Sequence, residues 1–207
     1  MTSRWLAIIA AASIAALALA GCGVPTVPDF TYYRLPRPQP LAEAPSPLFG
    51  DIVVDSFGAD GLYADQALVY ALDPSADELR QYHYQLWTDP PTRILQRRMI
   101  EQLRQAKIAS QVIDELPASH PAVRIGGVIL RFDRVPVVGG GYKAIIALKM
   151  RADDAGGLPM IDDYYRAELA AGGNDVKSTV EAYGAALDQI FAQFYADLRK
   201  RGETHAG

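Results

Sequence analysis

The chain has 207 residues, half of them hydrophobic, with 20 basic and 24 acidic side chains and a formal net charge of −4. That length and composition suit one medium-sized domain with its own core and exclude a disordered chain. The acidic balance argues against nucleic acid as a partner, because phosphate binding needs a basic face, and a single cysteine rules out an internal disulfide or a cysteine-based metal site.

The N-terminus carries an address. Met1–Arg4 holds one positive charge, and Trp5 to Ala20 is apolar apart from Ser13. Sixteen residues fall short of the roughly 20 that span a bilayer, so the run reads as a signal peptide core. Leu19-Ala20-Gly21-Cys22 follows it and contains the only cysteine. The four residues read as a bacterial lipobox. Residues 1–21 are then a signal peptide, and Cys22 becomes a lipidated N-terminus. The bland alternative is a lone buried cysteine behind an uncleaved anchor. Cleavage removes Arg4 and no acid, which takes the charge from −4 to −5. A lipobox cysteine resembles those that carry a diacylglyceryl thioether and an N-acyl chain such as palmitate. At about 0.8 kcal/mol per buried methylene, one sixteen-carbon chain contributes roughly 12 kcal/mol gross. Gly23 stands where an aspartate would retain such a protein in the inner membrane, which favours the outer membrane of a two-membrane bacterium.

Residues 22–50 read as a tether. Pro25, Pro28, Pro36, Pro38, Pro40, Pro45 and Pro47 exclude helix and favour extended conformations. Within it, Thr31-Tyr32-Tyr33-Arg34-Leu35 has a strand's composition; whether that strand docks on the body is open at this point.

The body is expected over residues 51–201, with a flexible tail at 202–207. Strands are expected at 51–57, 67–72, 79–87 and 109–113. In 79–87, Tyr82, Tyr84 and Leu86 would share one face, and His83, Gln85 and Trp87 the other. Asp89 reads as the N-cap of a helix with Pro90 at its first position, running to about Lys107. Leu95, Met99, Leu103 and Ala106 form its apolar stripe. Arg93, Arg97 and Arg98 form a basic patch, read as a solvated face with Glu101 as partner, or else as a membrane-surface contact. Further on, Val128, Leu130 and Phe132 alternate with Ile129, Arg131 and Asp133. Tyr142, Ala144, Ile146, Leu148 and Met150 alternate with Lys143, Ile145, Ala147, Lys149 and Arg151. With 158–170 and glycine-rich turns at 139–141 and 156–157, this predicts a three-stranded antiparallel meander. Asn174 or Asp175 caps a final helix to about Arg201. There Val176, Val180, Tyr183, Leu187, Ile190, Phe194 and Leu198 recur at helical spacing. The fold class is α+β: an antiparallel sheet including the C-terminal meander, with two main helices packed on one face.

No catalytic constellation is legible. Gly139-Gly140-Gly141-Tyr142-Lys143 lacks the spacing of a phosphate loop. His83, His120 and His205 form no metal-ligand pair. Asp153-Asp154 sits in a turn, where aspartate has backbone reasons to be. Asp162 and Asp163 point to opposite faces of a strand. No serine stands in a nucleophile elbow. The expectation is a non-enzyme with no catalytic residue, no cofactor and no metal, whose one functional residue is Cys22.

The ordered set is a lipobox, Tyr32-Tyr33-Arg34-Leu35, the strand at Leu68–Leu72, Trp87-Thr88-Asp89-Pro90-Pro91 with its Arg-bearing helix, Leu130-Arg131-Phe132-Asp133, and the helix at Val180–Leu187. In this the chain resembles the ABC-type transport auxiliary lipoprotein family, the PqiC-like proteins, over nearly all of its mature length. The resemblance implies an outer-membrane lipoprotein facing the periplasm. Its partners would be an MCE-domain protein and an ABC permease and ATPase that move lipids or other hydrophobic molecules between membranes. It implies no enzymatic activity and allows a homo-oligomer. The alternative is a solitary lipoprotein that binds a lipid or other ligand in its own cavity.

Overall fold

The computed structural model describes residues 28–117 and 120–205. The signal, the lipobox and Cys22 lie outside them. In chain order the elements are β1 (Thr31–Tyr33), β2 (Phe49–Val54), β3 (Gly58–Ala59), a 3₁₀ turn (Gly61–Ala64), β4 (Ala67–Ala71), β5 (Leu79–Trp87), α1 (Pro91–Gln105), β6 (Ala109–Ile113), β7 (Val123–Pro136), β8 (Tyr142–Asp153), β9 (Pro159–Ala170) and α2 (Val176–His205). Among the described residues no helix is long and apolar enough to cross a membrane.

The fold is α+β, and β7, β8 and β9 form the antiparallel meander. Its first turn needs glycine: Gly139, Gly140 and Gly141 take φ of 90°, 108° and 86°, a region closed to most side chains. The meander's neighbours differ from the expected antiparallel order. The free edge of β7 receives β2, β3 and β4 in turn, all parallel to it, while β6 pairs parallel with β2 and β1 with β5. Only β4 and β5 pair antiparallel outside the meander. Parallel neighbours need crossover connections, so no tight-turn signal joins them in sequence.

One core fills the space between sheet and helices. On β8 the inward residues Ala144, Ile146, Leu148, Met150 and Ala152 are fully buried, and Leu95, Met99, Leu103, Tyr183, Leu187, Ile190 and Phe194 meet them from the helices. Each large apolar side chain buried there contributes about 1.5–3 kcal/mol. On β7 the expected alternation breaks. Ile129 and Phe132 are buried, while Val128 and Leu130 are only half-buried. The register slips between Ile129 and Arg131, so Leu130 is an extra residue that flips the faces on either side of it.

Helix starts were legible to within a residue. Pro90, not Asp89, is the N-cap, and Pro91 opens α1. A residue before proline is pushed out of the α region, and Pro90 accordingly has ψ of 140°. Asp175 caps α2, its carboxylate accepting the Ser178 N–H at 2.8 Å.

The proline-rich stretch 36–47 is not a stalk. It lies in the groove between α1 and α2. Arg98 donates to the carbonyl of Pro36 (2.6 Å), Gln102 to that of Gln39 (2.7 Å) and Tyr195 to that of Ala42 (2.6 Å). Leu41 and Ala44 are buried. Extended proline-rich backbone has no internal hydrogen bonds, so its carbonyls are free to take donors from the helices. Gly184 permits the approach, since a Cβ there would stand 2.8 Å from the Pro36 ring. Arg98 is therefore no part of a solvated face. It is 5% exposed, ion-paired with Asp188 at 2.8 Å, and this pair joins the two helices under the strap. Arg97 pairs with Asp89, and Glu101 accepts from Gln105 instead of an arginine.

Candidate functional site

Cys22, the expected lipidation residue, lies outside the described residues. The described chain begins close by, and β1 enters the sheet as its edge, with Thr31 opposite Gln85 and Tyr33 opposite Trp87. The 31–35 strand therefore docks on the body, over Thr31–Tyr33.

Beside β1 lies a tyrosine-lined cleft. It arises from an irregularity: pairing jumps from Ala67↔Leu86 to Val69↔Gln81, so two steps of β4 face five of β5. Tyr82 to Gln85 consequently have no β4 partner and bow outward. The same slip explains why Tyr82 and Trp87, expected on opposite faces, both pack on the core. The cleft measures about 520 Å³ and is lined by Tyr33, Tyr70, Tyr82, His83, Tyr84 and residues at the start of α2. Tyr70 and Tyr82 stack at 4.3 Å, Phe30 packs on Tyr84 at 5.4 Å, and Tyr33 donates to Gln85 at 2.6 Å. Behind it sits Arg134, 5% exposed, with its guanidinium 3.2 Å over the Tyr142 ring. It donates to Thr179, to the Tyr82 hydroxyl and to the Asn174 carbonyl. Burial pushes the Tyr33 and Tyr82 hydroxyls up from their ordinary pKa. They stay neutral and serve as hydrogen-bond partners. The arrangement suits a flat aromatic or extended chain contact, and it contains no nucleophile with a base.

The other chemical candidates have structural work. Gly139–Gly141 form the β7–β8 turn. His83 is exposed on the tyrosine cleft, and His120 bonds Asp51 at 2.9 Å. His205 ends α2, far from both in the chain. Asp153 pairs with Arg151, and Asp154 accepts the N–H groups of Gly156 and Leu158. Asp162 pairs with Lys149, and both it and Asp163 border a separate cleft with Asp197, Lys200 and Thr204. Tyr63 donates to the fully buried Asp133, which also accepts from Arg131 at 2.7 Å. That cluster is closed to solvent on the acid's side and ties the 3₁₀ turn to β7. Among the described residues, no three His, Cys, Asp or Glu side chains gather to hold a metal ion. Sequence reasoning missed the cleft and Arg134. The one available signal was the tyrosine density at 82–84, since the register slip leaves no trace in composition.

The family model described as ABC-type transport auxiliary lipoprotein component matches residues 33–194. No curated protein matches the sequence. Among solved structures, a Xanthomonas campestris protein of the family DUF330 superposes with a TM-score of 0.71 at 16% identity, over 85% of this chain and 99% of that one. An uncharacterized protein gives 0.65 at 16% identity, over 83% and 99%. A hypothetical protein of Chlamydia trachomatis gives 0.52 at 11%, over 77% and 99%. At these identities the likenesses establish the fold. The match from Tyr33 to Phe194 spans the strap, β2 to β9, all of α1 and most of α2, and with it the chain belongs to the ABC-type transport auxiliary lipoprotein component family.

Proposed function

We propose that this protein is a non-enzymatic lipoprotein subunit of an ABC/MCE-type envelope transport system. Lipid on Cys22 holds it at the periplasmic face of the outer membrane. Its body docks the conduit through which lipids or other hydrophobic molecules cross the periplasm. The observation that carries this reading is the family match over residues 33–194, standing directly behind a lipobox. Asp153, Asp154, Asp162 and His120 have structural partners, which supports a docking role. So does the filled interior: Trp87, Tyr183, Phe191 and Phe194 are fully buried between sheet and helices. That filling weighs against the rival reading of a solitary carrier with lipid in its own cavity. A homo-oligomer is part of the proposal, since a ring-shaped conduit is matched by a ring of subunits.

The test is affinity purification of the lipidated protein from membranes. An MCE-domain protein with an ABC permease and ATPase should come with it, and a deletion strain should show a leaky envelope. Purification without these partners, together with normal permeability, refutes the proposal. Cys22→Ala should move the protein from the membrane fraction to the soluble periplasm.

A further inference from the structure

The end of the sheet at the β7–β8 turn is unlike the other. β1 runs parallel to β5, and β5 begins at Leu79, opposite Ala71. β4 in turn runs parallel to β7 toward that same end, with Tyr70 beside Arg134. The chain preceding Thr31 therefore arrives from the end that carries the β7–β8 turn. Eight residues lie between Cys22 and Thr31, and the nine Cα steps span at most about 30 Å. Because the slip lets two steps of β4 take up five of β5, Thr31 sits about four β4 steps from that end, or about 13 Å. The slack beyond the end is then about 17 Å.

The side chains at this end are apolar and exposed. Val138 is 84% exposed at the tip of the turn, with Leu72 (41%) and Val137 (38%) beside it. A solvated turn is usually polar, and the 154–158 turn at the far end is built on Asp154. Val137-Val138-Gly139-Gly140-Gly141 has no polar side chain at all. Its glycines and two backbone bonds, Val137 N–H to Gly141 and Gly140 N–H to Val137, hold Val138 outward. Behind the tip a second buried cluster of Ala71, Val135 and Ile145 keeps this end firm.

We infer that this end, with Val137, Val138 and Leu72, rests on the lipid surface to which Cys22 is anchored. The inference rests on the lipid-anchor reading above. The contact is apolar and interfacial: valine and leucine enter the headgroup boundary. Asp73, Asp77 and Glu78 follow Leu72 directly, so an uncharged or zwitterionic surface fits better than an anionic one. The tyrosine cleft, opening beside β1, then lies close above the membrane.

The mature chain has one cysteine, blocked by its lipid, so an introduced cysteine is labelled alone. Val138→Cys and Leu158→Cys, at opposite ends and both exposed, are labelled with an environment-sensitive fluorophore in the lipidated protein. Each is reconstituted on phosphatidylcholine and phosphatidylethanolamine vesicles containing a nitroxide lipid. The label at 138 should shift to the blue and be quenched several-fold more than the label at 158. Equal, water-like spectra at both positions on vesicle-bound protein overturn the inference and leave the anchor standing, as does stronger quenching at 158. Protein that fails to float with vesicles and lacks lipid on Cys22 by mass spectrometry overturns the anchor reading and this inference with it.

Discussion

The two faces of the sheet carry the same kinds of charged residue and put them to different use. On the open face, Lys143 pairs with Glu168, Lys149 with Asp162 and Arg151 with Asp153, all with a fifth or more of each side chain in solvent. On the helix-covered side, Arg98 and Asp188 are 5% and 15% exposed. They join two helices and a strap at once. The lesson is that burial, more than the number of pairs, decides what a charge is worth. Exposed pairs contribute 0–1 kcal/mol each because water and salt screen them. Breaking a buried pair leaves an unpaired charge in a poor solvent.

The sharpest break of this comparison is Asp188→Ala. It strands the Arg98 guanidinium beside Gly184 and frees Gln102 from one of its partners. A loss of about 3–5 kcal/mol is expected, read as a lower midpoint in urea. A loss below 1 kcal/mol would place this pair with the exposed ones. Leu148→Ala removes a fully buried side chain from the centre of the helix-covered face, and about 2–5 kcal/mol should go with it. The exposed partner of that experiment is Lys149→Ala, one residue along the same strand. It should cost under about 1 kcal/mol and less still in high salt.

Titration separates the faces as well. Burial raises the pKa of Tyr165 and Tyr183 on the helix-covered side, and for Tyr165 the bond to Asp197 adds to it. Groups with a raised folded pKa contribute stability that is full below the unfolded value of about 10 and is lost as pH rises past it. Alkaline unfolding should therefore coincide with a second rise of tyrosinate absorbance, after exposed tyrosines such as Tyr32 and Tyr164 have ionised, and a single rise completed well before unfolding would contradict the burial. On the open face, hydrogen bonds from Lys143 and Arg166 hold Glu168 below the usual carboxylate pKa. Its contribution is present above an unfolded value of about 4 and fades as pH falls through the folded one. Glu168→Gln should flatten that acid limb slightly and leave the alkaline limb unchanged. This is the smallest effect of the set.

What was legible follows a physical line. Ala144, Ile146, Leu148 and Met150 share a face because strand periodicity is local, and Val180 to Leu198 share one because helical periodicity is local. The meander turns were legible because positive φ needs glycine. The bulge at Leu130 was not, since the extra residue is chosen by how β7 meets β8. The burial of Arg98 was hidden for the same kind of reason. Its partners Pro36 and Asp188 stand 62 and 90 residues away.

By itself the sequence determined the α+β class, the meander and the long second helix, because each depends on residues a few positions apart. Tertiary structure alone decided three things. It set β2, β3 and β4 parallel along one edge of β7, it laid the proline-rich strap over Arg98 and Gln102, and it drew Tyr33, Tyr70, Tyr82 and Tyr84 around one cleft. These contacts join residues tens of positions apart, and the burial and hydrogen bonding that stabilise them leave no periodic trace in the chain.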